Sequence, residues 1–172
     1  TAADAFSPGE LSELLIKATA ELKVSDKVVT TNAMARTVET ESHFVASNGS
    51  DVEQNYLMVS ADYSAIAHEG SVTQKRTDGG LLAKSYQAGM EVFNEADVLA
   101  RCRNIGAEAV ELLTAEECPT GTMHLILAPD QMMLQIHESV GHALEIDRIL
   151  GDERNYAGWS FVRLEDFGKL QY

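Results

Sequence analysis

The chain has 172 residues, of which 45% are hydrophobic and 23% charged, an ordinary globular balance that excludes wholesale disorder. Its 13 basic and 27 acidic residues give a net charge of −14, a surface that repels nucleic acid and anionic membrane, so no direct nucleic-acid partner and no membrane partner are expected. No window is apolar for the ~18 residues a membrane span needs, and two cysteines outside any CxxC spacing, Cys102 and Cys118, fit a reducing, cytoplasmic compartment.

Ser7-Pro8-Gly9-Glu10 is a helix start: a capping serine, a proline suited to the first turn, and a glutamate that completes a capping box. Leu11, Leu14, Leu15, Ala18 and Leu22 then fall on one face, which predicts a helix over 8–23. From Lys27 to Thr77 the pattern is β. Asn48-Gly49 predicts a two-residue type I′ hairpin between arms at 36–47 and 51–67. In the second arm Leu57, Val59, Ala61, Tyr63 and Ala65 alternate with polar neighbours, so the odd-numbered face is expected to be buried. Ser71–Thr77 adds a third strand, and Asp78-Gly79-Gly80 ends the meander. Residues 81–93 carry no decisive pattern.

Asn94 opens a second helix over 94–113, with Glu95 and Asp97 in its first turn and a stripe of Val98, Cys102, Ile105, Ala109, Leu112 and Leu113. Cys102 lies on that stripe and reads as a buried structural thiol. Pro119-Thr120-Gly121 is a turn, Met123–Leu127 a short apolar strand, and 130–150 a long helix that Gly151 can end. Helix, strands, helix, strand, helix is the order of an α+β fold: an antiparallel β-meander packed with helices, with the long helix near the C-terminal end. The whole is read as a single segment, 1–172, of a longer protein.

The long helix carries His137-Glu138-Ser139-Val140-Gly141-His142. Two imidazoles and a carboxylate are what a zinc-dependent hydrolase needs, as ligands and as a base. The familiar HExxH pattern places its histidines four apart, one above the other. Here they are five apart, which on a regular α-helix leaves them about 140° apart. A local shift to i→i+5 hydrogen bonding would bring them together, and Gly141 gives the backbone room to make it. On spacing alone, two unrelated helix histidines are the favoured account.

His-Glu-Ser-Val-Gly-His-Ala-Leu-Glu resembles the HExxxH signature of the TldD/PmbA family of zinc metallopeptidases, also described as modulators of DNA gyrase. Pro119-Thr120-Gly121-Thr122-Met123 resembles the segment that precedes it there. The resemblance covers most of the chain in element order and is most specific over 117–161. It implies that His137 and His142 are zinc ligands and Glu138 the catalytic base, with the TldD-like subunit the nearer relative. It implies a third, cysteine ligand in a C-terminal domain that is absent from this chain, so that the segment alone is expected to bind zinc weakly and to be inactive. It also implies unfolded or flexible peptides as substrates, and a homodimer or a heterodimer with a PmbA-like subunit. A non-catalytic regulatory or binding subunit of such a complex is the alternative.

Other residues carry less. Glu145 either orients His142 or is a solvated helix carboxylate. His43, His68 and His124 read as structural, and Cys118 as a loop or buried thiol. Tyr156, Trp159 and Phe161 read as core or subunit-interface packing residues rather than the wall of a cleft. Asp147-Arg148 and Asp152-Glu153-Arg154 read as a solvated helix end and loop.

Overall fold

The computed structural model describes residues 7–80 and 84–169. They fall into two compact units, 1–117 and 118–172. The division comes just before the Pro119-Thr120-Gly121 turn.

The first unit opens with helix α1, Pro8–Leu22. The Ser7 hydroxyl accepts from the Glu10 amide, and the Glu10 carboxylate accepts from the Ser7 amide at 2.8 Å, so the expected capping box is closed. Leu14, Ala18 and Leu22 are buried, while Leu11 and Leu15 pack at the margin of the same core. Three antiparallel strands follow, β1 (Val28–Val45), β2 (Asp51–Glu69) and β3 (Val72–Thr77), in the order β1-β2-β3. A two-residue strand β4, Ser85–Tyr86, lies within the stretch that had no decisive pattern; it pairs with β2 at Val59 and Ser60. Residues 81–83 of that stretch lie outside the described residues.

The first hairpin differs from its expected form. Val45 pairs with Asp51, and Ala46 donates to the Ser50 carbonyl at 2.9 Å, so the loop is Ser47-Asn48-Gly49, three residues rather than two. Gly49 donates to the Ala46 carbonyl and takes φ 92°, whereas no residue other than glycine has positive φ among the described residues. This is a turn followed by one left-handed residue, the usual three-residue solution. Asn48 contributes by side chain: its Oδ1 accepts from the Ser50 amide at 3.0 Å.

On β2 the odd-numbered face is buried from Val59 to Ala67, with Leu57 and Ala61 packed at the edge of the core. The even-numbered residues Ser60, Asp62 and Ser64 are buried too, so the opposite face is not wet along its whole length. Asp62 is satisfied there by the Gly80 amide at 3.0 Å. Towards the hairpin tip both arms are exposed.

Helix α2, Glu95–Glu111, starts at Asn94, whose Oδ1 accepts from the Asp97 amide. Val98, Cys102, Ile105 and Ala109 join α1 and β2 in one core, and a 3₁₀ turn, Leu112–Thr114, adds Leu113. The two helices approach closely at Gly106. A Cβ built on it would stand 2.3 Å from the Leu22 carbonyl oxygen, so the crossing requires a residue without one.

The second unit is helical in short pieces. α3, Pro129–Ile136, runs into a π turn, His137–Gly141, and then a 3₁₀ turn, His142–Leu144. The chain leaves helical geometry at Glu145 (φ −65°, ψ 122°) and resumes as α4, Ile146–Leu150, closed by Gly151 at φ 88°. The expected helix over 130–150 is thus present but interrupted. The expected strand at 123–127 is not formed: the segment is irregular, Ile126 is 95% exposed, and no strand pairs with it among the described residues. A five-residue apolar run fits a strand only where a partner edge is available.

Candidate metal centre

The π turn decides the site. The His142 amide donates to the His137 carbonyl, an i→i+5 bond in place of i→i+4. The enlarged turn takes up the surplus residue of the motif and returns His142 to the column of His137. Their rings meet edge to face, 4.3 Å between centroids. One ligand atom from each of His137, Glu138 and His142 can be chosen so that all lie within 4.8 Å of one another, the one such grouping of three among the described residues. Gly141 has ordinary helical angles (φ −55°, ψ −63°), and a Cβ there would meet nothing. The turn therefore uses neither the left-handed freedom of glycine nor its small size.

The donor chemistry fits zinc: two imidazole nitrogens with a carboxylate beside them, His137 and Glu138 exposed and His142 partly so. Glu138 Oε2 stands 3.9 Å from His142 Nε2, near enough to share the site without bonding the ring. On the other side of that ring, Nδ1 lies 2.9 Å from Glu145 Oε1. The hydrogen bond from His142, with the positive charge of Arg148 behind it, holds the Glu145 carboxyl below the usual carboxylate range.

Arg148 was expected at a solvated helix end. Its side chain is instead only 18% exposed. Nη1 donates to the Ala157 carbonyl at 3.0 Å, Nη2 lies 3.0 Å from His142 Nδ1, and Nε pairs with Glu145 Oε2 at an angle short of a hydrogen bond. Ser160, also missed by sequence, is buried; its hydroxyl donates to the Ala143 carbonyl at 2.6 Å and accepts from the Val162 amide at 2.9 Å. Neither residue had a sequence signal beyond proximity to the motif.

The remaining candidates are described each within its own unit. His43 pairs with Asp51 at the exposed hairpin tip, His68 bonds Thr73, and His124 lies in the irregular stretch 123–128. Cys102 is buried on α2 as expected; Cys118 is an exposed free thiol. Of core or subunit-interface packing, the core is not what Tyr156, Trp159 and Phe161 join within this unit: they are exposed, Tyr156 at 94%. Arg154 sits over the Trp159 ring at 5.8 Å. No helix among the described residues is long and apolar enough to cross a membrane.

Three comparisons with known proteins agree. Residues 2–116 match the PmbA/TldA metallopeptidase central domain. A Methanothermobacter thermautotrophicus protein described as a metalloprotease is 33% identical over 127 residues, 73% of this chain and 27% of that protein. The crystal structure of a candidate modulator of a DNA gyrase from Thermotoga maritima is similar in fold, with a TM-score of 0.53 at 18% identity over 69% of this chain and 26% of that one. The chain thus spans about a quarter of the length of each of these relatives. With two thirds of its length matched to that central domain, and with a His-Glu-x-x-x-His cluster gathered by a π turn, the chain belongs to the TldD/PmbA family.

Proposed function

We propose that this chain is the central segment of a TldD-like, zinc-dependent peptidase that hydrolyses unfolded or flexible peptides. The observation that carries the reading is the convergence of His137, Glu138 and His142 through a backbone irregularity that an ordinary helix would not adopt. The metalloprotease description of the Methanothermobacter relative supports it.

His137 and His142 would hold the ion. A bound zinc ion supplies Lewis acidity, which polarises a carbonyl and makes water a competent nucleophile near neutral pH. Glu138 is free for proton transfer, exposed and adjacent to both imidazoles. It takes a proton from the water whose oxygen attacks the peptide carbonyl carbon. As the C–N bond breaks, it delivers that proton to the leaving nitrogen. Neither Cys102 nor Cys118 belongs to the cluster, so a third, cysteine ligand would come from outside this chain. The same reading places the protein in the cytoplasm, as a homodimer or paired with a PmbA-like subunit.

A non-catalytic regulatory subunit is the competing reading, and metal analysis of the intact protein separates the two. Zinc near one per chain, lost on His142→Ala, supports the peptidase. Absence of metal with partner binding intact supports the regulatory subunit. Glu138→Gln is expected to retain zinc and to lose cleavage of an unfolded peptide substrate; cleavage at the wild-type rate would remove Glu138 from the mechanism.

A further inference from the structure

Tyr63 carries an unmatched polar group. The residue is 1% exposed on β2, and its hydroxyl finds no hydrogen-bond partner among the described residues. A buried hydroxyl is rarely left so, because it gives up water and gains nothing in return. Burial pushes this hydroxyl up to about 12, so it keeps its proton near neutral pH and can donate. Tyr63 lines a cavity of about 30 Å³, with Val92 and Phe93 on its apolar side and Asp78, Lys84 and Arg101 on its polar side. Donors outnumber acceptors among those side chains. Asp78 supplies the carboxylate, its side chain 10% exposed, and each of its oxygens is engaged: Oδ1 by Lys84 Nζ at 2.7 Å and Oδ2 by Arg101 Nη1 at 3.0 Å. The Arg101 guanidinium also stands 5.8 Å over the Tyr63 ring. Two cations against one carboxylate leave a formal charge of +1 here, in a chain whose total is −14.

We propose that this cavity binds a carboxylate group, which accepts from the Tyr63 hydroxyl and from the N–H groups of Arg101 and Lys84 that Asp78 does not use. Charge, size and wall chemistry all select it. One negative charge balances the site. A single water needs about 10–15 Å³ on the same scale, so two oxygen-sized groups fit and the four oxygens of a phosphate do not. The planar guanidinium fork suits a carboxylate better than a spherical ion. Val92 and Phe93 offer an apolar wall to the carbon that a carboxylate carries and a halide lacks. Two sources supply such a group: a free small acid, and the carboxylate end of a peptide. Every residue of the site lies in the first unit, so the proposal stands or falls apart from the metal reading.

Acetate is the probe, on the intact protein treated with a chelator so that no metal competes for it. Saturation-transfer NMR of the acetate methyl group, at constant ionic strength, reads the binding. Wild-type protein is expected to give a saturable signal. Tyr63→Phe and Arg101→Gln are each expected to weaken it by about tenfold or more, the worth of a hydrogen bond to a charged group. If Arg101→Gln does not fold, Lys84→Gln carries the charge arm with the same expectation. In chloride alone Tyr63→Phe should unfold at the wild-type temperature or above it, since it removes a donor without a partner. Acetate should then raise the unfolding temperature of the wild type and leave that of Tyr63→Phe in place. Absence of a saturable signal, or wild-type acetate binding in Tyr63→Phe, overturns the proposal. Loss of stability by Tyr63→Phe in chloride alone also overturns it, because an ordered water then serves the hydroxyl. Tri-alanine separates the sources. Displacement of acetate by the free tripeptide but not by its C-terminal amide assigns the site to peptide ends; acetate binding that neither displaces assigns it to free acids.

Discussion

The two units of this chain spend their residues differently. In 1–117 two helices and a sheet share one core: Leu14, Ala18 and Leu22 from α1, Val59, Tyr63, Ala65 and Ala67 from β2, and Val98, Cys102, Ile105 and Ala109 from α2. Among the described residues of 118–172 only Ala143, Ser160 and Val162 are buried, and the helical pieces are three to eight residues long. Yet the titratable cluster lies in the second unit. Where packing is dense, sequence pattern and backbone agree, and little is left over for chemistry. Where packing is sparse, the backbone departs from regular helix twice, at the π turn and at Glu145, and both departures serve His142. Irregular backbone of this kind persists where specific side-chain contacts hold it.

Four substitutions, an alkaline unfolding and a thiol-labelling experiment test that division, in descending order of effect. Glu138→Gln should lower peptide cleavage by the intact protein by about 10²–10⁴-fold. Its thermal unfolding should match the wild type, because Glu138 is exposed and packs nothing; a large loss of stability would show that the second unit carries structural load at its own site. Leu22→Ala should do the opposite. Leu22 is 0% exposed, so truncation should cost about 2–5 kcal/mol by denaturant unfolding, with zinc content per folded molecule unchanged. Gly106→Ala should cost about 1–3 kcal/mol in the same assay, since its Cβ would press on backbone that cannot rotate away. A neutral result there would mean the two helices can part at their crossing.

Alkaline unfolding should report on the first unit more gradually. Burial pushes the Cys102 thiol up to about 12, from an ordinary value of 9.0, and likewise raises the Tyr63 hydroxyl to about 12. Both groups bind their protons more tightly folded than unfolded. Their contribution is therefore complete below the unfolded values and fades as pH rises towards 12. Cys118, exposed, should alkylate in the native protein while Cys102 does not; equal labelling would contradict the core. Gly141→Ala is the smallest change. Its angles are helical and its surroundings open, so stability should stay level or rise by up to about 1 kcal/mol, and the π turn should survive. Loss of zinc binding in that variant would show that something besides this chain's own packing approaches Gly141.

Much of the first unit was legible because its signals are local or periodic. Ser7 and Asn94 cap by contacts three residues away, and the buried positions of α1, β2 and α2 follow their periods. Asn48-Gly49 was legible as a turn but not as to its length, because the pair does not reveal whether Asn48 will take positive φ; it does not. Ser60, Asp62 and Ser64 are buried against the alternation rule, and the partner of Asp62, the Gly80 amide, lies too far along the chain to leave a local signal. In the second unit the i→i+5 turn was legible only as the condition for joining the two imidazoles, which the five-residue spacing did not by itself require. Arg148 and Ser160 did not follow from it. Their roles depend on chain reversals at Glu145 and Gly151, and a reversal of that kind has no period to read.

The π turn has a consequence for the length of the motif itself. It makes the segment His137–His142 one residue richer than an ordinary helical turn requires, with the excess stored in a wider hydrogen-bonded ring. That residue is in principle removable: deleting Val140 would shorten the ring to the α-helical size and leave the histidines at the four-residue spacing of the more familiar motif. The two spellings would then be alternative backbone windings of one ligand arrangement, separated by a single codon.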